Sequence, residues 1–149
     1  WARGGSASDH DVDFLIKSED VERALAAVEA AGMRTERPPE GWLVKAYDDD
    51  VLVDLIHSPA GQSVDDDLLG RADELSVDAM PMPVLHPDDL FASKLLALTE
   101  HSLDFEGLLE AARSLREQVN WDEVADRTKS SPYARAFLTL VRELGIAPE

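Results

Sequence analysis

The sequence predicts an α+β fold in which a small β-sheet is followed by a helical C-terminal half. Three observations lead to this prediction. Residues 11–16 alternate as a strand does, residues 42–56 hold two strand-like runs around an acidic turn, and apolar residues recur at helical spacing from position 88 onward. With 149 residues, of which 44% are hydrophobic and 30% charged, the chain has the length and composition of one folded domain.

The first predicted strand carries two carboxylates. Side chains alternate between the faces of a strand, so Asp11 and Asp13 share one face while Val12 and Phe14 fill the core on the other. Two anions this close repel each other unless a cation lies between them, and their hard oxygen atoms suit Mg²⁺ or Mn²⁺. The simpler alternative, an exposed residue before the strand, fits Asp11 but not Asp13, because a carboxylate among apolar neighbours is costly to bury without a partner.

A helix and a hairpin are predicted next. Ser18 precedes acidic residues and a helical apolar pattern, and Gly32 closes that pattern. Residues 42–47 and 51–56 then read as paired strands around the exposed turn 48–50.

Asp54 is the third carboxylate of interest, because it interrupts the second hairpin strand. A charge among strand-forming apolar residues needs a partner, a metal or an open sheet edge. If this strand neighbours the first, Asp54 completes a three-carboxylate cluster with Asp11 and Asp13. Such a cluster can hold two divalent ions and supply a general base.

The C-terminal half reads as helices, and we place its boundary after residue 85, which divides the chain into a core of residues 1–85 and a helical subdomain of 86–149 packed on it. His86-Pro87-Asp88 is a helix entry, and Lys94 falls within the apolar stripe that follows. The lysine there either extends its amine to solvent or meets phosphate as a point charge. Further helices are predicted around residues 108–115, 121–127 and 133–144.

The stretch Ala2-Arg3-Gly4, followed after six residues by Asp11-Val12-Asp13-Phe14-Leu15, resembles the active-site strand of the DNA polymerase beta-like nucleotidyltransferases. The similarity is to the minimal bacterial type, which includes antibiotic adenylyltransferases and abortive-infection toxins. It implies a small mixed-sheet nucleotidyltransferase core that moves a nucleoside monophosphate from a nucleoside triphosphate to an acceptor hydroxyl. In this resemblance Asp11 and Asp13 bind the metals that carry the triphosphate, and Asp54 completes the site as third ligand or general base.

Two further parts of the chain are similar to this family. Lys94-Leu95-Leu96-Ala97-Leu98 and Asp104 resemble a toxin-type helix and the start of the next, which implies a phosphate-binding Lys94 and an accessory Asp104. Arg3 and Ser6, in the glycine-rich loop, are candidate phosphate contacts.

The glycine–serine pair of the family lies roughly ten residues before the first aspartate, where backbone and hydroxyl groups hold the triphosphate. Gly5-Ser6 is too close to Asp11 to be that pair. Either a helix and phosphate loop precede Trp1, which we favour, or the chain is a degenerate member.

The net charge of the chain limits the classes of partner that we expect it to bind. Thirty-one acidic residues against 14 basic ones give a net charge of −17, and without a basic cluster we do not expect broad docking on nucleic acid. The toxin-like resemblance implies an RNA end, such as that of tRNA, as acceptor and an antitoxin protein as partner, whereas the charge favours a cationic small molecule such as an aminoglycoside. A catalytically inactive binding module is the third alternative. The absence of cysteine and of any long apolar run predicts a cytoplasmic protein without a membrane partner.

Overall fold

A computed structural model of the chain describes residues 2–5 and 11–148. It confirms the α+β class, with a small mixed sheet and C-terminal helices. The strands are β1 Asp11–Leu15, β2 Arg34–Glu36, β3 Leu43–Asp48, β4 Val51–Ile56, β5 Asp73–Val77 and β6 Met80–Val84. The helices are α1 Val21–Ala30, α2 Asp66–Gly70, α3 Pro87–Leu96, α4 Phe105–Leu115, α5 Trp121–Thr128 and α6 Pro132–Glu143.

The described residues form two compact units, a sheet unit of residues 11–70 and a helical unit of residues 2–5 and 71–148. The division therefore falls after residue 70, whereas the sequence suggests a domain boundary after residue 85. The β5–β6 hairpin belongs to the helical unit, where Arg3 joins it through an ion pair with Asp73 and a hydrogen bond to the carbonyl oxygen of Leu85.

The sheet unit contains a four-stranded sheet in the order β1-β4-β3-β2. The strand β1 runs parallel to β4, while the β2–β3 and β3–β4 pairs are antiparallel, so the sheet is mixed. One face is apolar, and Leu25 of α1 packs there against Val44 and Leu55. Because side chains alternate along each strand, the residues between these apolar positions project from the opposite face.

The expectation that Val12 and Phe14 fill the core is wrong. Their exposed fractions are 46% and 39%. The reason is their place in the sheet: β1 is an edge strand, and the core under α1 is built from the neighbouring strands β3 and β4. Strand alternation identified the faces of β1 but could not tell whether a helix covers that edge.

The β5–β6 hairpin and the short β2 strand have no counterpart in the sequence prediction. Pro81 and Pro83 lie within β6, and proline argues against a strand because it cannot donate to the ladder. Here the sheet has two strands, so each strand has an open edge that tolerates proline. The turn residues Asp78 and Ala79 both have positive φ, as a type I′ turn requires, but Asp-Ala lacks the glycine by which such turns are recognised.

The helical unit confirms the predicted helices to within a few residues. Its core is built around Phe91 of α3, whose ring centroid lies 5.1 Å from that of Trp121 of α5, and around Phe137 of α6. Side chains cap the helix starts: Asn120 accepts a hydrogen bond from the Glu123 amide, and Ser131 does the same at the start of α6.

A buried carboxylate connects three segments of the helical unit. The side chain of Asp89 in α3 is almost wholly buried and accepts hydrogen bonds from Arg71, at 2.8 and 3.1 Å, and from Arg127 of α5, at 2.6 Å. Burial alone raises the pKa of Asp89, but the hydrogen bonds of Arg71 and Arg127 together outweigh it, so the pKa lies below its usual value.

We expect Asp89→Asn to lower the free energy of unfolding by about 3 kcal/mol at pH 7, as for a buried ion pair that loses one partner. Because the pKa of Asp89 is lowered in the folded state, its contribution is present above the unfolded pKa and is lost as the pH falls through the folded one. The difference in the free energy of unfolding between the wild type and Asp89→Asn should therefore become smaller below about pH 4. Urea unfolding at several pH values measures this, with the exposed, Lys129-paired Asp126→Asn as control. A difference that stays constant with pH would contradict it.

Candidate functional site

The mixed sheet brings two of the three predicted carboxylates side by side. In the parallel pairing of β1 with β4, Asp13 is the register partner of Asp54. Neighbouring strands lie about 4.8 Å apart, so the two side chains leave the same face at adjacent positions. This is the face opposite α1, because Leu55, the residue after Asp54, packs under that helix.

Asp11 lies one step further along β1. It is exposed, and its register partner on β4 is Leu52 rather than an acidic residue. Alternate strand residues are about 6.6 Å apart, so Asp11 shares the face of Asp13 without being in its row. Within residues 2–5 and 11–148, no three acidic or histidine side chains are gathered as a ready-made metal cluster.

Lys45 is the cation that holds Asp54. Its Nζ lies 2.9 Å from Oδ1 and 3.3 Å from Oδ2 of Asp54, and the two residues are register partners on β3 and β4. Both side chains are mostly buried, with exposed fractions of 25% for Lys45 and 14% for Asp54. Hydrogen bonding by Asp54 raises the pKa of Lys45 above its usual value, although burial acts in the opposite direction. Lys45 is therefore a charged ammonium group.

These residues form a charged row across the sheet, made of Asp13, Asp54, Lys45 and Glu36 from β1, β4, β3 and β2. Glu36 is the register partner of Lys45 on the other side, and its carboxylate accepts a hydrogen bond of 3.1 Å from the Tyr47 hydroxyl. Arg34, on the same face of β2, lies 3.7 Å from the Glu36 carboxylate, so Glu36 also has a cationic neighbour within its own strand. The paired carboxylates of Asp13 and Asp54 are the donor type that Mg²⁺ and Mn²⁺ prefer, so the donor chemistry fits a divalent ion.

Lys94 and Asp104 lie together in the helical unit. Both line a surface cavity of about 380 Å³ between α3 and α4, together with Ser102 and Glu110. Lys94 is exposed although it lies at helical spacing from the buried Phe91 and Leu98, which agrees with both alternatives for it, an amine in solvent or one that meets phosphate.

Asp104 opens α4 as its N-cap, where its Oδ1 accepts hydrogen bonds from the Glu106 and Gly107 amides at 3.1 and 3.3 Å. This confirms the prediction that an aspartate starts the helix after the lysine. The contact is that of a capping residue, and it accounts for the carboxylate without a ligand.

The structure describes one of the two candidate phosphate contacts in the glycine-rich N-terminal loop, Arg3. Ser6 lies outside the described residues. Arg3 uses its guanidinium within the helical unit, donating to Asp73 at 2.6 Å and to the carbonyl oxygens of Val84 and Leu85. These contacts explain its conformation, and a phosphate role for Arg3 stays a prediction.

Sequence reasoning missed Lys45. Its signal is the same one that identified Asp54, a charged residue inside an apolar strand, here the run Leu43-Val44-Lys45-Ala46. The three-residue turn 48–50 expected from the sequence would set Val44 opposite Asp54, whereas the observed turn at residues 49–50 shifts the register by one residue and sets Lys45 there.

The chain thus has a mixed sheet with two neighbouring strand carboxylates, Asp13 and Asp54, on one face, and helices that follow this sheet in the sequence. Residues 9–145 match the family described as uncharacterised nucleotidyltransferase, and the chain belongs to this family. It is therefore an enzyme of the nucleotidyltransferase class with a nucleotide substrate, and enzymes of this class generally use a nucleoside triphosphate and a divalent metal. No curated protein matches the chain. In the described part of the chain, no helix is long and apolar enough to cross a membrane.

Capping predicts how Asp104 variants behave. Asp104→Ala removes the acceptor for two backbone amides and should lower the free energy of unfolding by about 1 kcal/mol. Asp104→Asn keeps an equivalent cap and should leave stability near that of the wild type. Urea unfolding measures both, and equal losses in the two variants would show that the charge, rather than the cap, stabilises α4.

Proposed function

We propose that the chain transfers a nucleoside monophosphate from a metal-bound nucleoside triphosphate to an acceptor hydroxyl, and that Asp13 and Asp54 are its central metal ligands. The observation that supports this most is their register pairing on neighbouring parallel strands, in a chain that belongs to a nucleotidyltransferase family. Asp11, on the same face of β1, is the third proposed ligand. The proposed metal is Mg²⁺ or Mn²⁺, because the donors are carboxylates.

The chain's own groups have defined parts in this reaction. The acceptor oxygen attacks the α-phosphorus, the bond to the pyrophosphate oxygen breaks, and the proton of the acceptor hydroxyl leaves. A bound divalent ion neutralises charge on the phosphates. Asp13 and Asp54 position that charge on rigid strands, and Asp54 is also the proposed proton acceptor. Positioning and electrostatics account for most catalysis in such transfers, so no covalent protein intermediate is required.

Lys94 is the proposed phosphate-binding residue of the helical unit. Its ammonium group is exposed, lines the cavity with Ser102, and makes no hydrogen bond or ion pair with any residue the structure describes. A lysine without a carboxylate partner can contact phosphate as a point charge without first breaking an ion pair. Its position also matches the lysine motif by which the sequence resembles the toxin-type enzymes.

The acceptor has two candidates, each with its own support. The net charge of −17 favours a cationic small molecule, of which an aminoglycoside is one example. The motif resemblance favours an RNA end, with an antitoxin protein as partner. The two differ in how acceptor binding responds to salt.

Binding of magnesium nucleotides tests the metal site. Isothermal titration of ATP, CTP, GTP and UTP with Mg²⁺ into the wild type should show at least one metal-dependent ligand. Asp13→Asn removes one of the two facing carboxylates and should weaken that binding at least tenfold, a loss of about 1.4 kcal/mol. The matched control is Asp49→Asn in the β3–β4 turn, where φ is 50° and asparagine is tolerated.

Wild-type protein that binds none of the four nucleotides would contradict the enzymatic proposal and leave a binding module. Nucleotide binding that Asp13→Asn does not change would remove Asp13 from the site. Circular dichroism of each variant shows whether its fold is retained.

A salt titration separates the acceptors. Binding of an RNA end should weaken steeply with salt, with a logarithmic slope of about −0.7 for each phosphate contacted. A cationic small molecule releases no condensed counterions and should show only the shallow dependence expected from screening. Measuring the affinity for each acceptor at 50 and 200 mM salt decides between them. Tight binding of RNA with a steep salt dependence would contradict the expectation, based on net charge, that the acceptor is a cationic small molecule.

A further inference from the structure

The charged row has one cation and three anions, and the position of that cation has a consequence for metal binding. Like charges at directly opposed positions of a sheet are destabilising, and Asp13 faces Asp54 in the parallel register. Lys45 offsets this repulsion because its Nζ lies within 3.3 Å of both Asp54 carboxylate oxygens. The ammonium group thus contacts both oxygens of the Asp54 carboxylate and reaches them from the neighbouring strand β3.

A divalent ion between Asp13 and Asp54 would neutralise the same repulsion. The lone pairs of Asp54 would then be shared between the ion and Lys45, and the two positive charges would repel each other across one carboxylate. Each cation therefore lowers the affinity of Asp54 for the other, and thermodynamic linkage makes this effect reciprocal.

The structure also contains an alternative partner for the ammonium group. Glu36 is the register partner of Lys45 on the side opposite Asp54, and its carboxylate adds to the electrostatic stabilisation of the charged lysine. The contacts given for Glu36, with the Tyr47 hydroxyl and Arg34, are both made by its Oε2 atom. Both acidic neighbours are one strand spacing from Lys45. A lysine side chain has enough rotatable bonds to turn from one to the other without movement of the strands.

We propose that Lys45 is an internal counter-ion that competes with the divalent metal for Asp54 and moves toward Glu36 when the metal binds. Lys45 is thus a positioning residue: it orients the Asp54 carboxylate in the metal-free protein, and it weakens binding of the metal alone. This inference rests on the proposed function, because it takes Asp13 and Asp54 as the metal ligands.

Binding of Mn²⁺ alone, without nucleotide, tests the competition. Lys45→Met removes the competing charge and keeps a side chain of similar length, so the dissociation constant for Mn²⁺ should fall about tenfold, within the usual range of coupling between two bound groups. The matched control is Lys17→Met. Lys17 lies in the same unit, pairs with Asp66 and has an exposed fraction of 24%, close to that of Lys45. It should leave Mn²⁺ affinity unchanged.

Thermal unfolding gives a second signature that a merely structural lysine would not show. In the presence of a chelator, Lys45→Met should melt below the wild type because the mostly buried Asp54 loses its hydrogen bonds to the ammonium group. Added Mn²⁺ should raise its melting temperature more than that of the wild type, since tighter binding to the folded state stabilises it more. A structural lysine would give the loss in chelator but an equal metal-dependent gain.

The ammonium resonance of Lys45 in the wild-type protein supplies a readout that does not depend on how the variant folds. Saturation with Mg²⁺ should shift this resonance as the hydrogen bond to Asp54 is exchanged for a new environment. A resonance unchanged at saturation would overturn the proposal.

The outcomes separate the inference from the function on which it rests. Wild-type protein that binds Mn²⁺, together with a Lys45→Met variant that binds it no more tightly, overturns the competition and leaves the nucleotidyltransferase proposal standing. Failure of both proteins to bind Mn²⁺ or a magnesium nucleotide overturns both. Tighter binding by Lys45→Met alone, with Lys17→Met like the wild type, supports the competition.

Discussion

The parallel pairing of β1 with β4 is the constraint on which the candidate site depends. It sets Asp13 opposite Asp54, an arrangement that costs electrostatic energy unless positive charge is supplied. The antiparallel hairpin supplies that charge from the other side, because its register places Lys45 next to Asp54. A slip of one residue in either pairing would turn a carboxylate toward α1, where the apolar core excludes it.

The two faces of the four-stranded sheet carry different residues: one face packs against α1, and the other carries the charged row. Val44 and Leu55 pack under α1, while the alternate residues Lys45 and Asp54 form the charged row. Each strand thus contributes to both faces through alternation alone. The edge position of β1 leaves Asp13 exposed, and the same position explains why Phe14 is not in the core.

The ion pairs of the helical unit and of the sheet unit have different surroundings. Asp89 is enclosed by Arg71 and Arg127, two cations for one buried anion, so its charge is fully used in holding α3 and α5 together. In the charged row one cation faces two carboxylates in the sheet register, because Lys45 hydrogen-bonds Asp54 and has Glu36 as its partner on the other side.

The sequence by itself determined three strands of the mixed sheet, the main helices, the paired aspartates of β1 and the interruption of β4 by Asp54, because periodicity and the cost of burying charge are local properties. The resemblance to the toxin-type enzymes also placed Asp104 at the start of a helix, and the structure has it there as the N-cap of α4. Only the tertiary structure decided that β1 lies beside β4 at an edge, that Lys45 holds Asp54, and that a hairpin containing Pro81 and Pro83 forms. Strand order, register and edge exposure arise from contacts between distant segments, which no local pattern encodes.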